Sequence, residues 1–167
     1  GLHKRISLGI VSKIGKKPTT LILGFIIAVS FVSMWMSNTA ATVMMLPVAL
    51  AIASTMGDEA KGLRKAMVLC IPYAATIGGM ATVIGTTTNP TGIGLIKGSI
   101  GIEIDFLDWL KIGLPFTLVL VPLMWIYMVK FFKVDKMPSI DISIARKQYE
   151  ELGPMNKGEK WTAIVFS

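Results

Sequence analysis

Between Ser33 and Leu50 the chain reads SMWMSNTAATVMMLPVAL, and the fold turns on how its Ser37-Asn38-Thr39 cluster is read. The cluster lies midway along a run with no charged residue from Pro18 to Gly57. An amide buried in hydrocarbon is strongly unfavourable unless something bonds to it. Either the cluster sits at a wet surface or it binds something. As a single helix rising ~1.5 Å per residue, the run would reach roughly 60 Å, about twice the hydrocarbon thickness of a bilayer. It must therefore fold back. Ser, Asn and Thr are favoured helix N-caps, so the cluster suits the start of a returning helix, within which Pro47 is expected to make a kink.

Composition supports a membrane setting. Of 167 residues, 53% are hydrophobic and 16% charged, with a mean hydropathy of +0.65. The charges avoid three tracts, Pro18–Gly57, Ala66–Ile96 and Ile112–Val129. Each is long enough to cross or enter a bilayer. The net charge of +7 does not point to nucleic acid, because the basic residues flank apolar tracts and form no basic face interleaved with aromatics. Basic flanks are what the positive-inside rule requires. The single cysteine, Cys70, excludes an intrachain disulfide, lacks the partners for a metal site and suits core packing. No acid–base pair or nucleophile–base arrangement is visible, so an enzyme is not expected.

Residues 1–17 are basic, and Leu2, Ile6, Ile10 and Ile14 form one helical stripe, the pattern of an interfacial amphipathic helix. Residues 18–57 form the folded-back pair. The charged loop at 57–65 should lie in the same compartment as the basic start, the cytoplasm. A re-entrant hairpin and two complete spans meet that condition equally well. The tract over 66–96 contains Gly85-Thr-Thr-Thr-Asn89-Pro90-Thr-Gly92, a strong helix breaker, and reads as a discontinuous helix. Residues 97–111, with Glu103, Asp105 and Asp108, read as an external loop with Trp109 as an interface anchor. Residues 112–130 return as a membrane helix. Residues 131–160 form a cytoplasmic connector with a polar helix over 139–152, and 161–167 open a further apolar helix. Both ends read as cut, so the chain is expected to be a segment of a longer protein. The fold class is all-α and polytopic, with no strand alternation.

Two apolar tracts are thus interrupted by Asn among hydroxyl residues, with no ionised side chain in either break. Carbonyl, hydroxyl and amide oxygens suit a hard cation such as Na⁺. The first arm, ending near Met36-Ser37, presents free carbonyls and a negative dipole end. The second, starting near Thr39-Ala40, presents free N–H groups and about half a positive charge. Such a tip can hold a cation and a carboxylate side by side, as discontinuous helices in secondary transporters do. The alternative is a pair of plain turns at the far membrane surface, for which Trp35 speaks, since Trp favours the interface.

At these motifs the chain resembles the divalent anion–sodium symporter family, membrane carriers of dicarboxylates, citrate and, in some members, sulfate. The matching residues are Met34-Trp-Met-Ser-Asn-Thr-Ala-Ala-Thr-Val-Met-Met-Leu-Pro47 and Tyr73-Ala-Ala-Thr-Ile-Gly-Gly-Met-Ala-Thr-Val-Ile-Gly-Thr86. The resemblance implies a re-entrant helix hairpin with its tip near the membrane midplane, facing an unwound part of the second tract. By position it implies sodium ligands at Ser33, Ser37, Asn38 and Gly85, and substrate-carboxylate ligands at Asn38 and Thr39, with Thr86 and Thr87 nearby. It also implies two inverted repeats, of which this chain would hold the end of the first, and a homodimer in the cell (inner) membrane. The implied activity is sodium-coupled symport of C4-dicarboxylates such as succinate, malate and fumarate. Citrate or sulfate carriage, dicarboxylate exchange and a non-transporting membrane segment are the alternatives. Many members have Pro-Pro where this chain has Thr87-Thr88, a departure that bears on substrate preference.

Overall fold

A computed structural model describes residues 17–54, 56, 60–136, 150–151 and 153. The described residues are all-helical, with no strand. Five α-helices follow in order: α1 Pro18–Ser33, α2 Asn38–Ala53, α3 Lys61–Gly79, α4 Thr88–Ile100 and α5 Phe106–Phe131, with a 3₁₀ turn at Val134–Lys136. Apart from Lys17 and the helical pair Glu150-Glu151, the expected interfacial helix over 1–17, the polar helix over 139–152 and the helix opening at 161 lie outside the described residues.

Pro18 starts α1, where its missing N–H is no loss. The helix is apolar on nearly every side and so must be covered on more than one. Leu21, Ile22, Phe25, Ile26 and Val29 are all fully buried. Its main partner is α3, which also packs on α2 and α5 and so forms the centre of the bundle. The core joins these four helices through Met45, Ile52, Leu63, Met67 and Ile71, with Met124 and Met128 from α5.

Three long-range hydrogen bonds set the directions. The Trp125 indole donates to the Thr19 carbonyl at 2.9 Å, Thr117 to the Ile77 carbonyl at 3.1 Å, and the Trp109 indole to the Met80 carbonyl at 3.0 Å. Thus α1 and α3 run parallel, and α5 runs against both. The start of α1, the start of α3 and the end of α5 share one end of the bundle. Lys61, Arg64, Lys65, Lys130 and Lys133 lie at or near that end, the kind of basic flank that the positive-inside rule describes.

α5, 26 residues long and roughly 39 Å, is the one helix among the described residues long and apolar enough to cross a membrane. It turns Ile112, Phe116, Leu118, Val119 and Leu123 outward. So large an apolar face is unfavourable in water and calls for lipid or further protein against it. α1 and α2 have 16 residues each, roughly 24 Å, short of the ~30 Å hydrocarbon layer.

Several boundaries differ from those expected. α3 begins at Lys61, ahead of the apolar tract at 66. The second tract leaves the helix at Gly79, and Thr88 begins α4, so the interruption is Met80–Thr87. Asn89 and Pro90 belong to the first turn of α4, where proline is tolerated. The expected loop over 97–111 shrinks to 101–105. Gly101, left-handed at φ 72°, ends α4. Asp105 caps α5 by accepting from the Asp108 N–H at 2.7 Å.

Candidate functional site

The hairpin tip is a short turn. α1 ends at Ser33 and Met34 caps it. Ser37 caps α2, its hydroxyl accepting from the Ala40 N–H at 3.3 Å. Asn38 is then the first residue of α2, just ahead of the expected start near Thr39-Ala40. Capping falls to Ser37, which leaves the Asn38 amide available to turn inward.

The Ser33 hydroxyl, fully buried, lies 2.8 Å from the Asn38 Oδ1 and 2.8 Å from the Ala75 carbonyl. A hydroxyl has one proton to give, so it serves these two acceptors one at a time. Gly79 forms the floor, and a Cβ there would overlap the Asn38 Oδ1. One turn along, Ser30 donates to the Ala74 carbonyl at 3.0 Å. A Cβ on Gly78 would overlap the Ser30 backbone. The Gly78-Gly79 pair is therefore what lets α3 approach the tip so closely.

The second break is fixed by side chains from three directions. Asn89, buried, donates to the Gly79 carbonyl at 2.8 Å and to the Thr82 carbonyl at 2.7 Å. The Thr82 hydroxyl donates to the Met34 carbonyl, tying the break to the end of α1, and accepts from the Gly85 N–H at 3.1 Å. A Cβ at Gly85 would stand 2.5 Å from the Gly79 carbonyl oxygen, and one at Gly113 would stand 2.6 Å from the Met80 carbonyl oxygen. Helix ends leave carbonyls without partners. Here Asn89, Trp109 and Thr117 satisfy those at the end of α3. Trp109, expected as an interface anchor, uses its indole N–H for this.

Of the residues expected to bind sodium, Ser33, Asn38 and Gly85 collect around Gly79, whereas the Ser37 hydroxyl serves its own helix. Of the expected carboxylate ligands, Asn38 is in this cluster. Thr39 is exposed on the first turn of α2 and Thr87 is exposed at the end of the break. Thr86 Oγ1 lies 3.0 Å from Thr88 Oγ1. Gly79, Thr82 and the Ala75 carbonyl were not expected as site groups. The Gly-Gly pair inside the Tyr73–Thr86 motif was the available signal. Among the described residues no group of three His, Cys, Asp or Glu is placed to hold a metal ion. The electrostatics come instead from helix ends. The negative ends of α1 and α3 and the positive ends of α2 and α4 border the two joined breaks, each worth about half a charge.

The whole chain, residues 1–167, matches the family model described as the sodium:sulfate symporter transmembrane region. The chain belongs to this family. It is a family of carriers, not of enzymes. Over 176 aligned residues the chain is 39% identical to a sodium-dependent dicarboxylate transporter of Staphylococcus saprophyticus, covering 99% of this chain and 34% of that protein. It is 35% identical to the sodium-dependent dicarboxylate transporter of Staphylococcus aureus USA300 over the same shares. The chain thus spans about a third of the length of the curated relatives it matches. Membership makes this part of an integral membrane protein with sodium as the coupling ion implied.

Proposed function

We propose that this chain supplies one half of the binding site of a sodium-coupled C4-dicarboxylate symporter of the cell membrane, with α1 and α2 as a re-entrant hairpin. The observation that carries the reading is the convergence of Ser33, Asn38 and the end of α3 on one uncharged oxygen cluster. With its single proton given to Ala75, Ser33 faces the Asn38 Oδ1 oxygen to oxygen at 2.8 Å. A hard cation relieves that contact. Without the ion, turning the amide end for end offers Ser33 a donor instead, so amide orientation and sodium occupancy are coupled.

The lengths of α1 and α2 support the re-entrant arrangement. The register with α5 adds to it, since Gly113, beside Met80, is seven residues beyond Phe106. The joined breaks therefore stop roughly 10 Å short of the outer end of α5. Sodium binds first, fixes the tip, and exposes the free N–H groups of α2 and the hydroxyls of Thr39, Thr86 and Thr87 to a substrate carboxylate. The rest of the carrier supplies the other half of the site, and the intact protein works as a homodimer. Uptake of labelled succinate by the intact carrier in proteoliposomes should require a sodium gradient and should be lost in Asn38→Ala. Sodium-independent uptake sinks the proposal.

A second reading, sulfate or citrate as cargo, is kept open by Thr87-Thr88, which the resemblance sets against Pro-Pro in many family members. Competition among succinate, citrate and sulfate separates the two. Uptake that needs an internal dicarboxylate rather than sodium identifies an exchanger.

A further inference from the structure

Away from the polar breaks, an apolar groove of about 390 Å³ runs between α3 and α5, lined by residues that include Leu69, Tyr73, Met124, Tyr127, Met128 and Phe131. Its volume falls within the roughly 300–1,000 Å³ of small-molecule clefts. Tyr73, Tyr127 and Phe131 are each more than half exposed, and the Tyr127 and Phe131 rings stack at 5.4 Å. The groove opens outward, away from the core that joins α1 and α2 to α3.

Its basic end is what identifies an occupant. On α3, Lys65, Leu69 and Tyr73 recur every four residues and so share one face, which carries Lys65 past the end of the groove, exposed. On α5, Lys130 stands one turn beyond Tyr127 and next to Phe131. Lys133 follows in the turn that closes the helix, with a positive φ of 52°, a conformation glycine or asparagine adopts more easily. Among the described residues none of the three lysines forms an ion pair; the described pairs are Lys97–Glu103 and Lys111–Asp108. Asp135, two residues beyond Lys133, pairs with neither Lys130 nor Lys133 among the described ion pairs.

An exposed apolar slot with three lysines just beyond one end, none of them in an ion pair among the described residues, complements an anionic phospholipid. Basic pockets between membrane helices on the cytoplasmic side bind such headgroups. We infer that the α3–α5 groove holds one acyl chain of an anionic phospholipid, with Lys65, Lys130 and Lys133 on its phosphate. The inference rests on the chain's place in a bilayer and is independent of which ion or anion is carried.

The test is native mass spectrometry of the intact carrier in detergent, titrated with phosphatidylglycerol or phosphatidylcholine. Phosphatidylglycerol should be retained at least tenfold more strongly. The combined Lys65→Gln, Lys130→Gln and Lys133→Gln variant should lose that preference, and the corresponding three Arg substitutions should restore it. Leu69→Trp, which fills the slot and keeps the lysines, should also weaken retention. Equal retention of both lipids, or a Gln variant that binds phosphatidylglycerol as the native protein does, overturns the inference. So does protection of Tyr127→Cys from a membrane-soluble maleimide in lipid-free detergent, since a protein segment would then cover the groove. Sodium-dependent uptake measured on the same variants keeps this outcome separate from that of the transport proposal.

Discussion

Gly79→Ala tests the candidate site at its narrowest point. A Cβ at residue 79 would overlap the Asn38 Oδ1, whereas ordinary contacts need about 3.5 Å, so the amide must withdraw by on the order of 1 Å. Withdrawal breaks the contact with Ser33 and takes an oxygen out of the cation's shell. An interaction with a charged group is worth about 1.5–3 kcal/mol. At 1.4 kcal/mol per factor of ten, sodium affinity should fall roughly 10- to 150-fold. Fold stability should change little, because the overlap is with the Asn38 side chain, which can swing aside, and not with backbone. The assay is the half-saturating sodium concentration for succinate uptake by the intact carrier in proteoliposomes, with thermal unfolding of the purified variant alongside. A folded Gly79→Ala carrier with unchanged sodium dependence would show that Asn38 does not face the ion, and the reasoning fails.

Gly78→Ala should behave differently. The overlap there is with the Ser30 backbone, which cannot swing aside, so α1 and α3 must part at a cost of about 1–3 kcal/mol; the expected result is a lower melting temperature and less folded carrier, with sodium affinity of the surviving fraction unchanged. Asn89→Leu strands the carbonyls of Gly79 and Thr82 at about 1–3 kcal/mol each, so thermal unfolding should show a large loss, and Asn89→Asp, which cannot donate at neutral pH, should not restore it. Asn38→Asp places a charge beside the site, and uptake assays should show impaired anion transport while sodium still protects the tip from proteolysis. Cys70, buried in the core with its thiol donating to the Met67 carbonyl at 3.2 Å, should resist maleimide labelling until the carrier is denatured, and rapid labelling of native protein would contradict the packing of α3.

The folded-back pair was legible because a charge-free run of 40 residues exceeds what one crossing can use. The cap at Ser37 was legible because hydroxyl residues at a helix start have a local reason to be there. Two boundaries were not. Asp108 and Lys111 suggested a loop, yet they pair at 2.9 Å as i and i+3 neighbours on the first turns of α5. Asn89-Pro90 suggested the break itself, because local propensity marks where a helix can stop, not which of several candidate places tertiary contacts select. Here the indole of Trp109 and the amide of Asn89 hold the carbonyls at the end of α3, and both are remote from it in sequence. Gly79 carried no local signature for the same reason: its lack of a side chain matters only because Asn38 arrives from another helix. Asn38 stood out as an amide in an uncharged tract, Ser33 entered through the resemblance, and their shared floor became visible only in three dimensions.

The paired helix ends at the joined breaks have an electrical consequence. Two negative and two positive ends cancel, and no ionised side chain lies between Met34 and Ser54 or between Ala66 and Ile96. Unloaded, this half of the site has no charge for the resting potential to act upon. In the proposed symporter, voltage, worth about 2.3 kcal/mol per elementary charge per 100 mV, then acts on this half only through bound cargo, so this half should add no charge movement to the vacant return step.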